Sequence, residues 1–251
     1  MPIEGTAAVV TGGAAGIGRG IVEGLVRRGA KVAIFDVDAA GMETAVAALR
    51  GEGATVSGHV VDVSDRAQVD AACAEVRATF GPILILVNNA GIEQFGKFTH
   101  MELDEWERVM TVNLRGPFNC IKAVVKDMQA ANWGRIVNIT SSSAKAGQQM
   151  MSAYVTSKAG LEGFTKCLAM ELGPRGITVN GAAPGMIDTP MSRRAESLGR
   201  MGEGIEHFAS MTPVRRAGKP EDMANAVVWL CEDASSYMSG QIIGVNGGRT
   251  T

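Results

Sequence analysis

The sequence predicts an α/β protein: a single doubly wound Rossmann domain with a seven-stranded parallel sheet and helices on both faces. Three observations carry that prediction. Apolar runs of strand length alternate with helical periodicity along the whole chain. A glycine-rich turn, Thr11 to Gly18, joins the first strand to the first helix. The run Ile83 to Val87 is five aliphatic residues, as expected of a central strand covered on both faces. No repeat, low-complexity tract or linker divides residues 1–251, so one domain is expected.

In order, Thr6 to Val10 reads as the first strand, and Ile17 to Arg28 as a helix closed by Gly29. Lys31 to Phe35 is a second strand, Ala39 to Arg50 a second helix and Thr55 to Val61 a third strand. Ser64 is the expected N-cap of a helix ending near Phe80. After the fourth strand, Leu103 to Gln129 reads as one long helix bent near Gly116-Pro117. Arg135 to Ile139 is the fifth strand, and a helix carrying Tyr154 runs to about Leu172. Ile177 to Asn180, a helix over Pro220 to Leu230, and Ile242 to Val245 complete the alternation. Met186 to Lys219 reads as irregular.

Composition narrows the function. Hydrophobic residues at 46% and charged residues at 20% fit a globular protein. A net charge of −2 offers no basic field for nucleic acid and no polybasic patch for a membrane. The cysteines, Cys73, Cys120, Cys167 and Cys231, are scattered without a C-x-x-C pair, as small core residues in a reducing compartment would be. The N-terminal segment has no basic and apolar signal pattern and no run is long enough to span a membrane, so a cytoplasmic protein is expected. No metal-ligand spacing stands out.

The chemistry concentrates between Ser141 and Lys158. Tyr154 and Lys158 are four apart, on one face of a helix. A phenol with a pKa of about 10 is a poor base at neutral pH. A lysine ammonium about 4 Å away supplies roughly 4 kcal/mol toward the phenolate in a partly dry cleft, but only about 1 in water. Ser141 lies too far along the chain for the same helical face and needs the fold to return it. The Ser, Tyr-x-x-x-Lys pattern resembles the short-chain dehydrogenase/reductase family. The resemblance implies that Ser141 holds the substrate oxygen, Tyr154 moves its proton, and Lys158 lowers the tyrosine pKa and holds the nicotinamide ribose.

The other motifs follow in order. Gly12, Ala15, Gly16, Ile17 and Gly18 lie in T-G-x-x-x-G-x-G, similar to the family's own version of the dinucleotide turn. Asp36 ends the second strand, where an acid can accept hydrogen bonds from the adenosine ribose; Asp62 and Val63 follow the third, where the family holds the adenine. Either aspartate could instead be a helix N-cap. Asn89, Ala90 and Gly91, in Asn88-Asn89-Ala90-Gly91, resemble the segment that lines the cofactor cleft. Asn113, in a helix, resembles the residue that holds a water linking Lys158 to bulk solvent. Pro184, Gly185, Ile187 and Thr189 resemble the turn over the nicotinamide, with the Thr189 hydroxyl near the carboxamide. Thr140 stands where relatives often have serine.

The resemblance spans Thr6 to Gly248 and implies a substrate lid over about 186–219. It implies an NAD-dependent oxidoreductase that interconverts a secondary alcohol and a ketone. The small-molecule substrate lacks a signature; Gln94, Ser143, Gln148, Gln149, Met186 and Met191 are pocket candidates by position. Met150, Met151, Met186, Met191, Met201 and Met211 suggest a mainly apolar pocket. A 3-oxoacyl reductase acting on carrier protein or CoA shares every catalytic residue. It would want NADPH and a basic docking patch, which Asp127 to Asn132 lacks, although Arg175 remains nearby. A non-catalytic dinucleotide-binding protein has no need of Tyr154 and Lys158, and a methyltransferase would want no Tyr-x-x-x-Lys pair. Relatives commonly form tetramers through the long helices and the C-terminal strand region, so a homotetramer is expected.

Overall fold

The computed structural model describes residues 2–200 and 202–250. Met201 therefore lies outside the described residues. The strands are β1 (Ala7–Thr11), β2 (Lys31–Asp36), β3 (Val56–Val60), β4 (Ile83–Asn88), β5 (Gly134–Ile139), β6 (Ile177–Pro184) and β7 (Ile242–Val245). They form one parallel sheet of order β3-β2-β1-β4-β5-β6-β7. The strand order reverses between β1 and β4, and the crevice at their carboxyl ends is where ligands bind in such sheets.

The helices that cover the sheet are α1 (Gly16–Arg27), α2 (Ala39–Gly51), α3 (Arg66–Phe80), α4 (Leu103–Met110), α5 (Gly116–Ala131), α6 (Ser143–Ala146), α7 (Ser152–Leu172), α8 (Pro190–Ser197), α9 (Gly204–Met211) and α10 (Pro220–Cys231). One face of the sheet is packed by α1, α2 and α10 through Ile21, Leu25, Leu49, Met223 and Val227. The other is packed by α3, α5 and α7 through Val69, Val76, Val124, Met128 and Leu172. Truncating a fully buried leucine such as Leu25 to alanine costs about 2–5 kcal/mol in such a core. Helices α1 and α10 approach closely because Gly24 has no side chain: a Cβ there would sit 3.0 Å from Val228 Cγ2.

Three expectations change. The cap of α3 is Asp65, whose carboxylate accepts the Ala67 and Gln68 N–H groups; Ser64 instead donates its N–H to Asp62 at 2.8 Å. The long helix is two helices joined by a π-helical turn, Thr111–Arg115, so the irregularity precedes Gly116-Pro117 and centres on Asn113. The lid segment is not irregular: it carries α8 and α9. Its two ends are pinned, with Gly218 N–H donating to Met186 O and Asp188 N–H to Gly218 O, each at 2.9 Å.

A polar ladder ties the site helix to the sheet. Asn88 Nδ2 donates to Asn138 Oδ1 at 2.8 Å, and Asn138 Nδ2 to Thr165 Oγ1 at 2.9 Å. This links β4, β5 and α7 through buried, directional bonds, which fix the axial position of α7 more sharply than apolar contact does.

Candidate active site

The fold returns Ser141 to Tyr154. Ser141 follows the end of β5, and its hydroxyl faces the Tyr154 phenol closely enough to oppose the rise in the phenol's pKa. Ser143 N–H donates to Ser141 Oγ at 3.2 Å, and the two hydroxyls are 2.8 Å apart. Lys158 is buried one turn beyond Tyr154, its Nζ 5.8 Å from the phenol ring centroid and 2.8 Å from the Ile139 carbonyl, to which it donates. Three of the expected groups therefore converge at the carboxyl end of β5.

Their electrostatics differ from the simple pair picture. Burial dominates both. It raises the Tyr154 pKa, with the Ser141 hydroxyl opposing and the charge of Glu93 adding to the rise. It pushes the Lys158 ammonium down to about 8. Lys158 Nζ donates to the Ile139 carbonyl, and its ammonium stands beside the phenol ring.

Asn113 is fully buried, and both polar atoms of its amide have partners. Its Oδ1 accepts the Ile92 N–H at 2.8 Å, and its Nδ2 donates to Ile92 O at 2.9 Å and to Ser157 Oγ at 3.0 Å. The side chain thus clamps the loop after β4 onto α7, beside Lys158. Both Nδ2 hydrogens are used, so a water here is left the second lone pair of Oδ1 or the main chain of the π-helical turn. Such turns inside helices recur at functional sites.

The nucleotide side of the crevice is equally defined. The N-cap of α1 is Ala15, with no side-chain cap and no acid in the first turn, so the helix's first N–H groups face outward unanswered. Gly18 packs so tightly that a Cβ would lie 2.0 Å from Gly12 O. Asn89 Nδ2 donates to Thr11 O and Gly12 O, each at 2.9 Å, and the Asn89 and Ala90 N–H groups both donate to Thr11 Oγ1 at 3.0 Å. These bonds hold the turn open toward a ligand. An uncapped helix start and a cradle closed to any side chain at Gly18 fit the pyrophosphate of a dinucleotide.

Asp36 is not a helix cap, since Asp38 caps α2. Its carboxylate accepts the Ala14 N–H at 3.0 Å and the Asp38 N–H at 3.1 Å, which places it across from the glycine-rich turn. Nor is Asp62 a cap; its carboxylate accepts the Ser64 N–H, and it remains at the end of β3 beside the crevice. The Val63 side chain belongs to the core, and its carbonyl accepts from Asn119 at 3.0 Å, so no side-chain contact with a ligand is available there. Gly91 lies where a Cβ would be 3.3 Å from Lys158 Nζ.

The turn after β6 reaches the same crevice. Pro184 O accepts the Ser142 N–H at 3.0 Å, Gly185 N–H donates to Val245 O at 3.0 Å, and Ile187 is buried. Thr189 packs near Gly16, but its hydroxyl accepts the Ser192 N–H at 3.2 Å as the cap of α8. The capping bond leaves the hydroxyl a second lone pair on the side of Gly16 and the crevice. Of the pocket candidates, Gln94 is buried, Ser143 and Met186 are half-buried, and Gln148, Gln149 and Met191 are exposed. The methionines do not form one apolar wall: Met151 is buried while Met150, Met191 and Met211 are exposed.

A family model described as Enoyl-(Acyl carrier protein) reductase matches residues 12–250. The 3-oxoacyl-[acyl-carrier-protein] reductase FabG of Pseudomonas aeruginosa is 40% identical over 248 residues, 99% of this chain and 98% of its own. The chain belongs to the short-chain dehydrogenase/reductase family. It is an oxidoreductase of that family. Subunit BbsD of the (2S)-[(R)-hydroxy(phenyl)methyl]succinyl-CoA dehydrogenase of Thauera aromatica is 38% identical over 251 residues, 100% of this chain and 98% of its own. A solved variant of actinorhodin polyketide ketoreductase with NADPH superposes with a TM-score of 0.93 at 32% identity, covering 97% of each chain.

Sequence reasoning missed Glu93. It is half-buried, its charge raises the Tyr154 pKa, and burial raises its own pKa against the opposing charge of Arg200. The available signal was its place between Gly91 and Gln94, both of which were singled out.

Proposed function

We propose that the protein is an NAD-dependent dehydrogenase that interconverts a secondary alcohol and a ketone, with Tyr154 as the general base or acid. The convergence of Ser141, Tyr154 and Lys158 at the crevice carries this reading. The dinucleotide would be held by the Gly12–Gly18 turn, by Asp36 and Asp62 at the adenosine, by the Asn89–Gly91 segment on the adenine ribose side, and by Pro184–Thr189 at the nicotinamide. When bound, the nicotinamide supplies the acceptor or donor for the hydride of the carbinol carbon.

In oxidation the Tyr154 phenolate takes the substrate hydroxyl proton; in reduction the phenol returns it. Ser141 accepts the Ser143 N–H, which leaves its own O–H to donate to the substrate oxygen as negative charge develops there. Lys158, held on Ile139 O, faces the ribose hydroxyls and supplies positive charge beside the phenolate. A water on the Asn113 main chain completes the path from Lys158 to solvent. Residues 186–219, pinned at both ends, act as the substrate lid within a single domain.

NAD is favoured by Asp36, because a 2′-phosphate would meet its carboxylate and the neighbouring Asp38. The nearest cation, Arg19, is committed to Glu23 at 2.7 Å and to Ala45 O at 2.8 Å, away from that phosphate position. The relatives favour a second reading, an NADPH-dependent 3-oxoacyl reductase, since one is a carrier-protein reductase and another was solved with NADPH. Assays of alcohol oxidation with NAD and NADP, and of acetoacetyl thioester reduction with NADH and NADPH, separate the two. The NAD reading expects at least a tenfold preference for NAD(H); preference for NADPH with the thioester overturns it. We also place the enzyme in the cytoplasm as a homotetramer, with Met110, Leu114 and the exposed Phe118 supplying an apolar helix face for assembly. A monomer mass by light scattering at micromolar protein refutes that assembly.

A further inference from the structure

Two consecutive polar side chains beside the proposed catalytic groups have no partner, and the mechanism uses neither. Glu93 is half-buried, yet its carboxylate makes no hydrogen bond or ion pair among the described residues. Gln94 is 3% exposed, and neither its Nε2 nor its Oε1 has a hydrogen-bond partner. Native proteins rarely leave buried polar groups unanswered without a functional reason.

Their position is set from both sides. On one side Asn113 clasps the main chain of Ile92, and Gly91 lies against Lys158. On the other, the Gly96 N–H donates at 2.9 Å to the carbonyl of Met150, four residues before Tyr154. Gln94 Nε2 fills the space in between, 3.2 Å from where a Gly96 Cβ would be. Residues 91–96 therefore form one wall of the cleft whose opposite wall is Ser141 to Tyr154. The charge of Glu93 is felt at Tyr154, and Arg200, between α8 and α9, is felt at Glu93.

A carboxylate only accepts, whereas an amide both donates and accepts. A neutral group able to do both satisfies the pair. An alkyl chain would leave both unpaired, an acyl carbonyl would leave Glu93 without a donor, and an ammonium, which only donates, would leave Gln94 Nε2 without an acceptor. A hydroxyl is the smallest group that does both. Gly91 in this wall lies against Lys158 and the charge of Glu93 acts on Tyr154, which places that hydroxyl beside the reacting carbon.

Resting on the alcohol–ketone reading above, we propose that Glu93 and Gln94 select a substrate with a second hydroxyl on the carbon beside the reacting carbinol. The substrate is then a vicinal diol in one direction and an α-hydroxy ketone in the other.

The test compares kcat/KM of the full chain for 2,3-butanediol and 2-butanol, in wild type, Glu93→Ala and Glu93→Gln. The wild type is expected to prefer the diol by at least about 30-fold, a modest demand on a site built to bind a hydroxyl. Glu93→Ala should bring that ratio to within about threefold of one. Glu93→Gln has the same shape and keeps an acceptor, so it should fall between and serves if the alanine variant fails to fold. General structural damage lowers both alcohols together and leaves the ratio unchanged, so an unchanged ratio in the variants overturns the proposal. A wild type that oxidises both alcohols equally overturns it and leaves the alcohol–ketone reading intact. A wild type that oxidises neither overturns both.

Discussion

Lys158 donates from Nζ to the carbonyl of Ile139 at 2.8 Å, two residues before Ser141 on the same chain segment. One bond thus anchors the end of β5 to α7, and with it the two walls that carry Ser141 and Tyr154. The cost is a buried ammonium whose pKa falls to about 8.

That shift predicts a pH dependence of stability. Unfolded lysine titrates near 10.4, so between about pH 8 and 10 the unfolded chain binds the proton more tightly than the folded one. The Lys158 contribution therefore destabilises most below pH 8 and is relieved as pH rises. Urea unfolding of wild type and Lys158→Met at several pH values reads it directly. From pH 7 to 10 the wild type should gain about 2 kcal/mol relative to the variant. Comparing the two cancels the buried cysteines and Tyr154, whose raised pKa values act in the opposite sense above pH 9.

Glu93 raises the Tyr154 pKa through its negative charge. Oxidation needs the phenolate, so kcat/KM rises with pH through the Tyr154 titration. Glu93→Gln removes the opposing charge and should move that rise to lower pH. A profile that stays in place, or moves upward, refutes the electrostatic link.

Gly18→Ala drives a Cβ to 2.0 Å from a main-chain oxygen, a contact no side-chain rotation relieves. A loss of about 1–3 kcal/mol by thermal or urea unfolding is expected. Dinucleotide affinity should fall with it, because the turn must open to admit the methyl group. Unchanged NAD binding in a folded variant would contradict the role given to the turn.

Asp36→Ser combined with Val37→Arg removes the carboxylate and adds a cation for a 2′-phosphate. The wild type should prefer NAD by at least about 10-fold in kcat/KM, about 1.4 kcal/mol, and the double variant should lose or invert that preference. Equal use of both cofactors by the wild type defeats the assignment to Asp36.

The strands were legible because a parallel sheet covered on both faces demands unbroken apolar runs, and Ile83–Asn88 is buried throughout. The dinucleotide turn was legible because its glycines are required by close main-chain approaches that leave a fixed spacing. The π-helical turn at Asn113 was not, since it depends on tertiary bonds to Ile92 and Ser157 rather than on local propensity. The cap of α3 went to Asp65 instead of Ser64 because main-chain geometry, not residue type alone, chooses between adjacent caps. The helices of the lid are each about two turns of mixed composition, α8 being started by the capping box of Thr189 and Ser192. Nothing in the local sequence marks Glu93; only the folded loop brings its charge to Tyr154.

The proton step assigned to Tyr154 is tested most directly by turnover of Tyr154→Phe with a productive alcohol and NAD. Phenylalanine keeps the ring packing and removes only the hydroxyl, so circular dichroism and NADH binding should match the wild type. Turnover should fall by about 10²–10⁴, the range of general acid–base catalysis. A folded, cofactor-binding variant with near-normal turnover would contradict Tyr154 as the base.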